Sequence, residues 1–216
     1  GARFYGYERF CQIVAEHVRV NDLTLPIAHV PGHTMQVDWA GTQMQLTDPV
    51  TGVTTRVYLF VATLPFSRYS FVEPTLDMKQ DTWLRANAAM FDWFGGSVPR
   101  IVPDNLKTGV IRACFYEPEV NRSYAEMAAH YGTAILPARP YKPRDKAKVE
   151  AAVLLVQRWI IARLRNRRFF SLDELNVAIR EEVGRLNGRV SRHLGASRQQ
   201  LFEMLDRPAM QPLPPE

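Results

Sequence analysis

The chain has 216 residues, 46% apolar and 23% charged, with a net charge of +5 and an isoelectric point near 9.4. That length closes one substantial core with room for a small helical appendage. No apolar run approaches the ~20 residues of a membrane span, which argues against a membrane partner. Cys11 and Cys114 lie far apart without CxxC spacing, so neither a disulfide framework nor a zinc site is indicated, which fits the reduced thiols of a cytoplasmic protein.

In chain order, Phe4 to Arg19 place Phe10, Ile13, Val14 and Val18 at helical spacing, and NDLTLPIAHVPGHT follows as a linker. TMQVDWA, TQMQLTD, TRVYLFVATLP and SRYSFVEP are short runs rich in Val, Tyr, Phe and Thr. DPVTG supplies a turn, so an antiparallel meander is expected. Lys79 to Phe94 reads as a helix stopped by Gly95 and Gly96. PRIVPD is a short buried strand, and a brief helical segment is expected from Asn105 onward. Val120 to Tyr131 reads as a helix ended by Gly132, TAILPA as a fifth strand, and Asp145 to Arg167 as a long helix wedged against the sheet. Ser171 to Leu205 reads as two helices around Gly188 to Gly195, the first opened by Ser171 with Glu174 at capping-box spacing. Three β runs, then helix, strand, helix, strand, helix, predict a mixed α/β sheet of five strands flanked by helices. The expected divisions are 1–30 (helix and linker), 31–168 (core) and 169–216 (helical extension and Pro-rich tail). The Gly-Ala opening and the PAMQPLPPE close are those expected of a piece of a longer protein.

Charge is uneven. From Arg139 to Arg168 there are ten Lys or Arg residues, opposed only by Asp145 and Glu150. Such an excess suits a polyanion track, or a solvated helix face. Three acids stand out against it. Asp38 sits between Val37 and Trp39 on a strand, where Asp is depleted unless it faces solvent or serves a site. Asp104 follows the apolar IVP at a strand end, where ligands gather in open α/β sheets, although Asp also caps helices. Glu150 lies among Val149, Ala151, Ala152 and Val153, four residues after a possible partner, Lys146. Glu117, Glu119, Glu126 and Asp145 compete for the third place, and the residues alone leave that choice open. Carboxylates about 4 Å apart repel by about 4 kcal/mol at an effective dielectric of 20. Gathering three implies a compensating cation, and in a basic chain that is Mg²⁺ or Mn²⁺ acting on a phosphodiester.

VDWAG, DNLKTGV, RPYKPRDKAKVEAAV and LNGRVSRHLGASRQQLFE together resemble the DDE integrase and transposase core, and more narrowly the IstA-type transposases of the insertion sequence 21 family. The resemblance runs from about Pro31 to Phe202, with 65 residues between Asp38 and Asp104 and 45 between Asp104 and Glu150. It implies an RNase H-like fold, with Asp38 on the first strand, Asp104 after the fourth and Glu150 on the helix after the fifth. It also implies that these three form the catalytic, metal-binding triad, holding two Mg²⁺ or Mn²⁺ ions. The implied chemistry is two-metal cleavage at the 3′ ends of the element, then strand transfer into target DNA. Lys107 lies three residues beyond Asp104, within reach of the scissile phosphate. Lys142, Arg144, Lys146 and Lys148 approach Glu150 and are expected to track the DNA backbone. Trp39, Tyr141 and Trp159 are weighed as base-stacking residues against ordinary core positions.

The implied partners are element-end and target DNA, a homodimer or larger assembly on DNA, and a separate AAA+ ATPase of the IstB type. The chain has no GxxxxGK[ST] loop of its own and is not expected to hydrolyse ATP. Two alternatives stand beside the transposase reading. One is another RNase H-like metal-dependent nuclease without strand transfer. The other is a catalytically silent DNA-binding assembly domain.

Overall fold

The computed structural model describes residues 6–9, 12, 29–103, 110–112, 119–120, 122–136, 154–156, 158–191 and 195–215. The strands are β1 (Thr34–Trp39), β2 (Met44–Thr47), β3 (Thr54–Thr63), β4 (Ser70–Thr75), β5 (Arg100–Pro103), β6 (Val110–Arg112), β7 (Glu119–Val120) and β8 (Ala134–Ile135). The helices are α1 (Gln80–Phe94), α2 (Arg122–His130), α3 (154–156 and 158–164) and α4 (Leu172–Gly188). Short helical turns follow at Arg198–Leu201, Phe202–Asp206 (a π turn) and Arg207–Ala209. Among the described residues no helix is long and apolar enough to cross a membrane.

The main sheet has six strands, one more than expected. The extra strand comes from an interruption in the first. Trp39 partners Phe60 and the Ala40 N–H still donates to the Leu59 carbonyl at 2.8 Å; after three intervening residues Met44 resumes with Val57. β1 and β2 are therefore successive segments that pair with the one long strand β3. β4 pairs antiparallel with β3, and β1, β5 and β8 run parallel. The spatial order β4-β3-β1-β5-β8 thus joins an antiparallel half to a parallel half at β1. Pro74 can sit within β4 because that strand pairs only with β3.

Alternation sorts the sheet into two buried faces. Met35, Val37, Trp39, Phe60, Ala62 and Phe71 meet Trp83, Met90, Phe91 and Phe94 of α1 and Tyr124 of α2. Ala40, Val57, Leu59, Val61 and Val72 meet Val156, Ile160 and Leu164 of α3 and Leu175, Ile179, Val183 and Leu186 of α4. The first face is strongly aromatic. The Trp83 ring lies edge-on to Phe60 at 5.3 Å and to Tyr124 at 5.6 Å, the offset geometry that aromatic quadrupoles favour.

Local signals set several boundaries. Gly95, at φ 66°, ends α1 in the left-handed region that favours glycine. The Ser171 hydroxyl accepts the Glu174 N–H at 3.1 Å to open α4, while the Glu174 carboxylate reaches back to the Phe170 N–H at 3.0 Å. In the β2–β3 turn the Asp48 carboxylate accepts the Thr51 and Val50 amides at 2.7 and 2.9 Å, and these bonds hold it below the usual carboxylate range. One expected boundary differs. Val110–Arg112 and Glu119–Val120 pair as an antiparallel ladder, so the next helix starts at Arg122 rather than Val120; the start of the brief helical segment expected from Asn105 lies outside the described residues. β-branched Val110, Ile111 and Val120 favour the ladder. Of the two segments expected to be helical at residues 4–19 and 145–167, residues 7–9 and 12 of the first and 154–156 and 158–164 of the second are helical; the remainder, apart from Gly6 and the turn at 165–167, lies outside the described residues.

The open edge at β4 is closed by α4. Asn187 completes the ladder at Ser70, accepting its N–H at 3.1 Å and donating to its carbonyl at 2.8 Å. Farther along, Arg180 stands 3.4 Å from the half-buried Glu73 carboxylate, with its guanidinium over the Trp93 ring. Burial raises the Glu73 carboxyl above the ordinary glutamate value, and Arg180 offsets this only in part. The folded state thus disfavours the ionised form. Its contribution to stability is complete below the unfolded glutamate value and is lost as pH rises through the higher folded value. Glu73→Gln is expected to melt with the parent chain in acid and above it at neutral pH, as thermal melts across that range would record.

Candidate active site

β1 and β5 lie side by side at the centre of the sheet and point the same way, so their carboxyl ends open at one place. The ladder pairs Thr34 with Arg100 and proceeds in step to Val37 with Pro103. Asp38 is the next residue of β1. It opposes Val61 on β3, so its side chain shares the face covered by α3 and α4. It is half-buried, and its Oδ1 accepts the Trp39 N–H at 2.8 Å, which restricts the carboxylate's rotation. Gln36, two residues earlier on the same face, is a buried polar neighbour whose only sequence signal is the alternation in TMQVDW.

Trp39 points the other way. It is 7% exposed, with ring contacts to Phe60 at 5.7 Å and Trp83 at 5.8 Å. It is a core residue that anchors the strand under Asp38, and a base-stacking role is ruled out by burial. Trp159 on α3 is half-buried. Its indole N–H donates to the Glu182 carbonyl at 3.1 Å, and the Arg163 and Arg189 guanidinium groups stand 4.1 and 5.4 Å from its ring centre. Its ring is already engaged by protein cations.

Asp104 and Glu150 lie outside the described residues, as do Lys107, Lys142, Arg144, Lys146, Lys148 and Tyr141. Among the described residues no group of three His, Cys, Asp or Glu is placed to hold a metal ion. Glu126, a competitor for the third carboxylate, is eliminated. It is exposed on α2, paired with Arg122 at 2.9 Å, and α2 packs on the opposite face of the sheet from Asp38.

The basic run is partly committed to structure. Arg163 and Arg185 both pair with the buried Glu182, Arg163 at 3.4 Å in an ion pair without hydrogen-bond alignment. The Arg167 guanidinium lies 4.9 Å over the Phe169 ring. Arg158, Arg165 and Arg168 remain exposed for contacts outside the chain.

With this geometry in place, the comparisons with known proteins are specific. The family model described as "Integrase core domain" matches residues 28–143. A Sinorhizobium fredii protein that bears a transposase name is 45% identical over 210 residues, covering 97% of this chain and 41% of its own length. A Pseudomonas fluorescens protein named for the transposase of insertion sequence IS1162 is 40% identical, covering 97% of this chain and 38% of its own length. The chain thus spans about two fifths of the curated relatives it matches. Among solved structures, the HTLV-2 integrase catalytic core domain in complex with magnesium superposes with a TM-score of 0.56 at 17% identity, covering 80% of this chain and 97% of that one. A chain of the simian T-cell lymphotropic virus intasome in complex with a PP2A regulatory subunit gives a TM-score of 0.62 at 14% identity, covering 89% and 61%. The fold is the RNase H-like fold of retroviral integrase catalytic cores.

Proposed function

The chain belongs to the integrase core domain family, and on that premise we propose that it is the catalytic core of a DNA transposase of the IstA type. It would cleave at the 3′ ends of its element and join them to target DNA. The observation that carries this reading is the position of Asp38, at the carboxyl end of the central strand, on the face that α3 covers. Asp104 is covalently the next residue after Pro103, the partner of Val37, as Asp38 is the next after Val37. Glu150 precedes Leu154, where the described part of α3 begins, by about one helical turn of sequence. These three carboxylates form an all-oxygen donor set of the kind Mg²⁺ and Mn²⁺ take, so the residues fit the implied ions.

A pair of such ions bound there supplies Lewis-acid charge at the scissile phosphate. The chain's own contribution is placement. The strand ladder, the Trp39 anchor and the Asp38–Trp39 hydrogen bond hold one carboxylate in a fixed orientation before DNA arrives. In the first step water attacks phosphorus in line and the bond to the opposite oxygen breaks, releasing a 3′-hydroxyl. In the second that hydroxyl attacks a target phosphodiester, so one P–O bond forms as another breaks. Lys107, Lys142, Arg144, Lys146 and Lys148 are proposed to hold the flanking backbone. Two ends must be joined together, which calls for a homodimer or larger assembly on DNA, in the bacterial cytoplasm, with an IstB-type AAA+ ATPase as helper.

The test is a strand-transfer assay with a labelled, pre-cut element end, target duplex and Mg²⁺ or Mn²⁺. Joined product is expected. Cleavage of uncut ends with no joined product would favour a nuclease without strand transfer, and DNA binding with neither reaction would favour an assembly domain.

A further inference from the structure

On the α3–α4 side of the sheet, at the end of α4 where Asn187 meets Ser70 of β4, lies a cleft of roughly 610 Å³. Leu155 and Trp159 of α3, Leu186 of α4, and Arg189, Ser191 and Arg198 of the following loop line it. The two described arms of the loop are bonded to each other. Val190 and Ser197 form a β-bridge, the Ser191 N–H donates to the Ala196 carbonyl at 2.9 Å, and Ser197 and Gln200 form a reciprocal capping box. Its two arginines are held in place by different means. Arg189 is drawn over the Trp159 ring, and the half-buried Arg198 donates from Nη1 to the Leu186 carbonyl at 3.0 Å at the end of α4.

A third guanidinium joins them from far away in sequence. Arg68, in the β3–β4 turn, adopts φ 60°, the left-handed region that glycine occupies more easily. Its carbonyl accepts the Ser70 hydroxyl at 3.1 Å, and Ser70 is tied to Asn187 by two hydrogen bonds, which sets the Arg68 turn against the end of α4 that carries Arg189; its charge, with that of Arg189, adds to burial in lowering the pKa of Arg198. Among the described residues, none of the three pairs with a carboxylate, whereas Arg163, Arg180 and Arg185 do. Two arginines that line the cleft and a third on the adjoining turn, none with a carboxylate partner among the described residues, call for an external anion. Planar guanidinium forks match the geometry of a phosphate, and the apolar wall of Leu155 and Val190 suits the sugar beside it.

We propose that this cleft is a second DNA-backbone site, in which Arg68, Arg189 and Arg198 clamp a phosphodiester away from the scissile bond. The inference rests on the proposed DNA substrate. It gives the bound duplex a fixed point on the α3–α4 face, the same face as Asp38.

The experiment is fluorescence-anisotropy titration of a labelled duplex, and of a labelled single strand, against salt, using chains that carry Asp38→Asn so that no cleavage occurs. Arg68→Gly and Arg189→Gln are each compared with the Asp38→Asn parent, with Arg122→Gln on the opposite face as reference. Each cleft variant is expected to weaken duplex binding several-fold. Each should also flatten the slope of log K against log salt by about 0.9 on duplex, or about 0.7 if a single strand occupies the cleft. Arg68→Gly should do so without lowering the melting temperature, because glycine suits that backbone, and a purely structural arginine would not behave this way. Parental slopes in both cleft variants, or an equal loss in Arg122→Gln, would overturn the cleft while leaving the catalytic reading intact. A parent chain with no affinity for either probe would overturn both.

Discussion

Asp38→Asn is expected to lower Mg²⁺-dependent cleavage by roughly 10²- to 10³-fold or more, the scale of removing one preorganised charge-stabilising group, while the melting temperature stays near that of the parent. The two halves of this expectation come from different features. Asn is isosteric with Asp, and the backbone partners of β1 do not involve the carboxylate, so the ladder to β3 and β5 persists. Trp39 also keeps its contacts with Phe60 and Trp83. What is lost is one negative oxygen donor at the junction of the two half-sheets, and an amide is a weak ligand for Mg²⁺. Asp104→Asn and Glu150→Gln are expected to give losses of the same order. Single-turnover cleavage of a labelled end, run beside thermal melts, separates lost chemistry from lost folding. Full activity in Asp38→Asn would remove the proposed site.

The largest expected effect on stability lies at the other end of the molecule. Asp206, at 0% exposure, accepts the Gly32 N–H at 2.7 Å through Oδ1 and the Ser67 N–H at 3.1 Å through Oδ2. One side chain thus ties the end of the chain to the approach of β1 and to the β3–β4 turn. Asp206→Ala leaves two buried donors unpaired, at about 1–3 kcal/mol each. The sum is a large share of the roughly 5–15 kcal/mol that holds a typical domain. Gly32→Ala attacks the same joint from the other side. Gly32 has φ +62°, and an added Cβ would stand 2.7 Å from the Ala209 carbonyl carbon and the Asp206 oxygen, both backbone atoms.

Gly195→Ala serves as the control. Gly195 also has a positive φ, +66°, but among the described residues nothing lies within 4 Å of its Cβ position. It should cost only about 1–2 kcal/mol from backbone conformation. Gly32→Ala should exceed it by the cost of moving the Phe202–Ala209 turns, whose Phe202 ring stacks on Tyr69 at 4.3 Å. Urea denaturation of the three variants gives the ranking. Equal losses at Gly32 and Gly195 would mean that the joint yields without resistance.

The local parts of this architecture are legible in the amino-acid sequence because their causes are local. Gly95 stops α1, Ser171 opens α4, and the DPVTG turn joins β2 to β3, each through bonds spanning a few residues. Val110–Arg112 are strand and the helix expected from Val120 begins only at Arg122, for a matching reason. A short apolar stretch carries no period long enough to separate helix from strand, and pairing of β6 with β7 decided it. The aromatic candidates also needed packing. The sequence places Trp39 beside Asp38, but strand alternation sends the two side chains to opposite faces, one into the core and one to the proposed site.

By itself, then, the sequence determined the order of the main-sheet strands and the helices between them, the first strand that bears Asp38, and a resemblance specific enough to nominate Asp104 and Glu150. Only the tertiary structure decided which face each residue serves. It set Glu126 on the wrong side of the sheet, paired Asp206 with Gly32 across 174 positions, and set the Arg68 turn against the end of α4 through Ser70 and Asn187. Periodicity and caps act over one or two turns of chain. Burial, charge clustering and hydrogen bonds between distant segments exist only once two faces of a sheet have been covered.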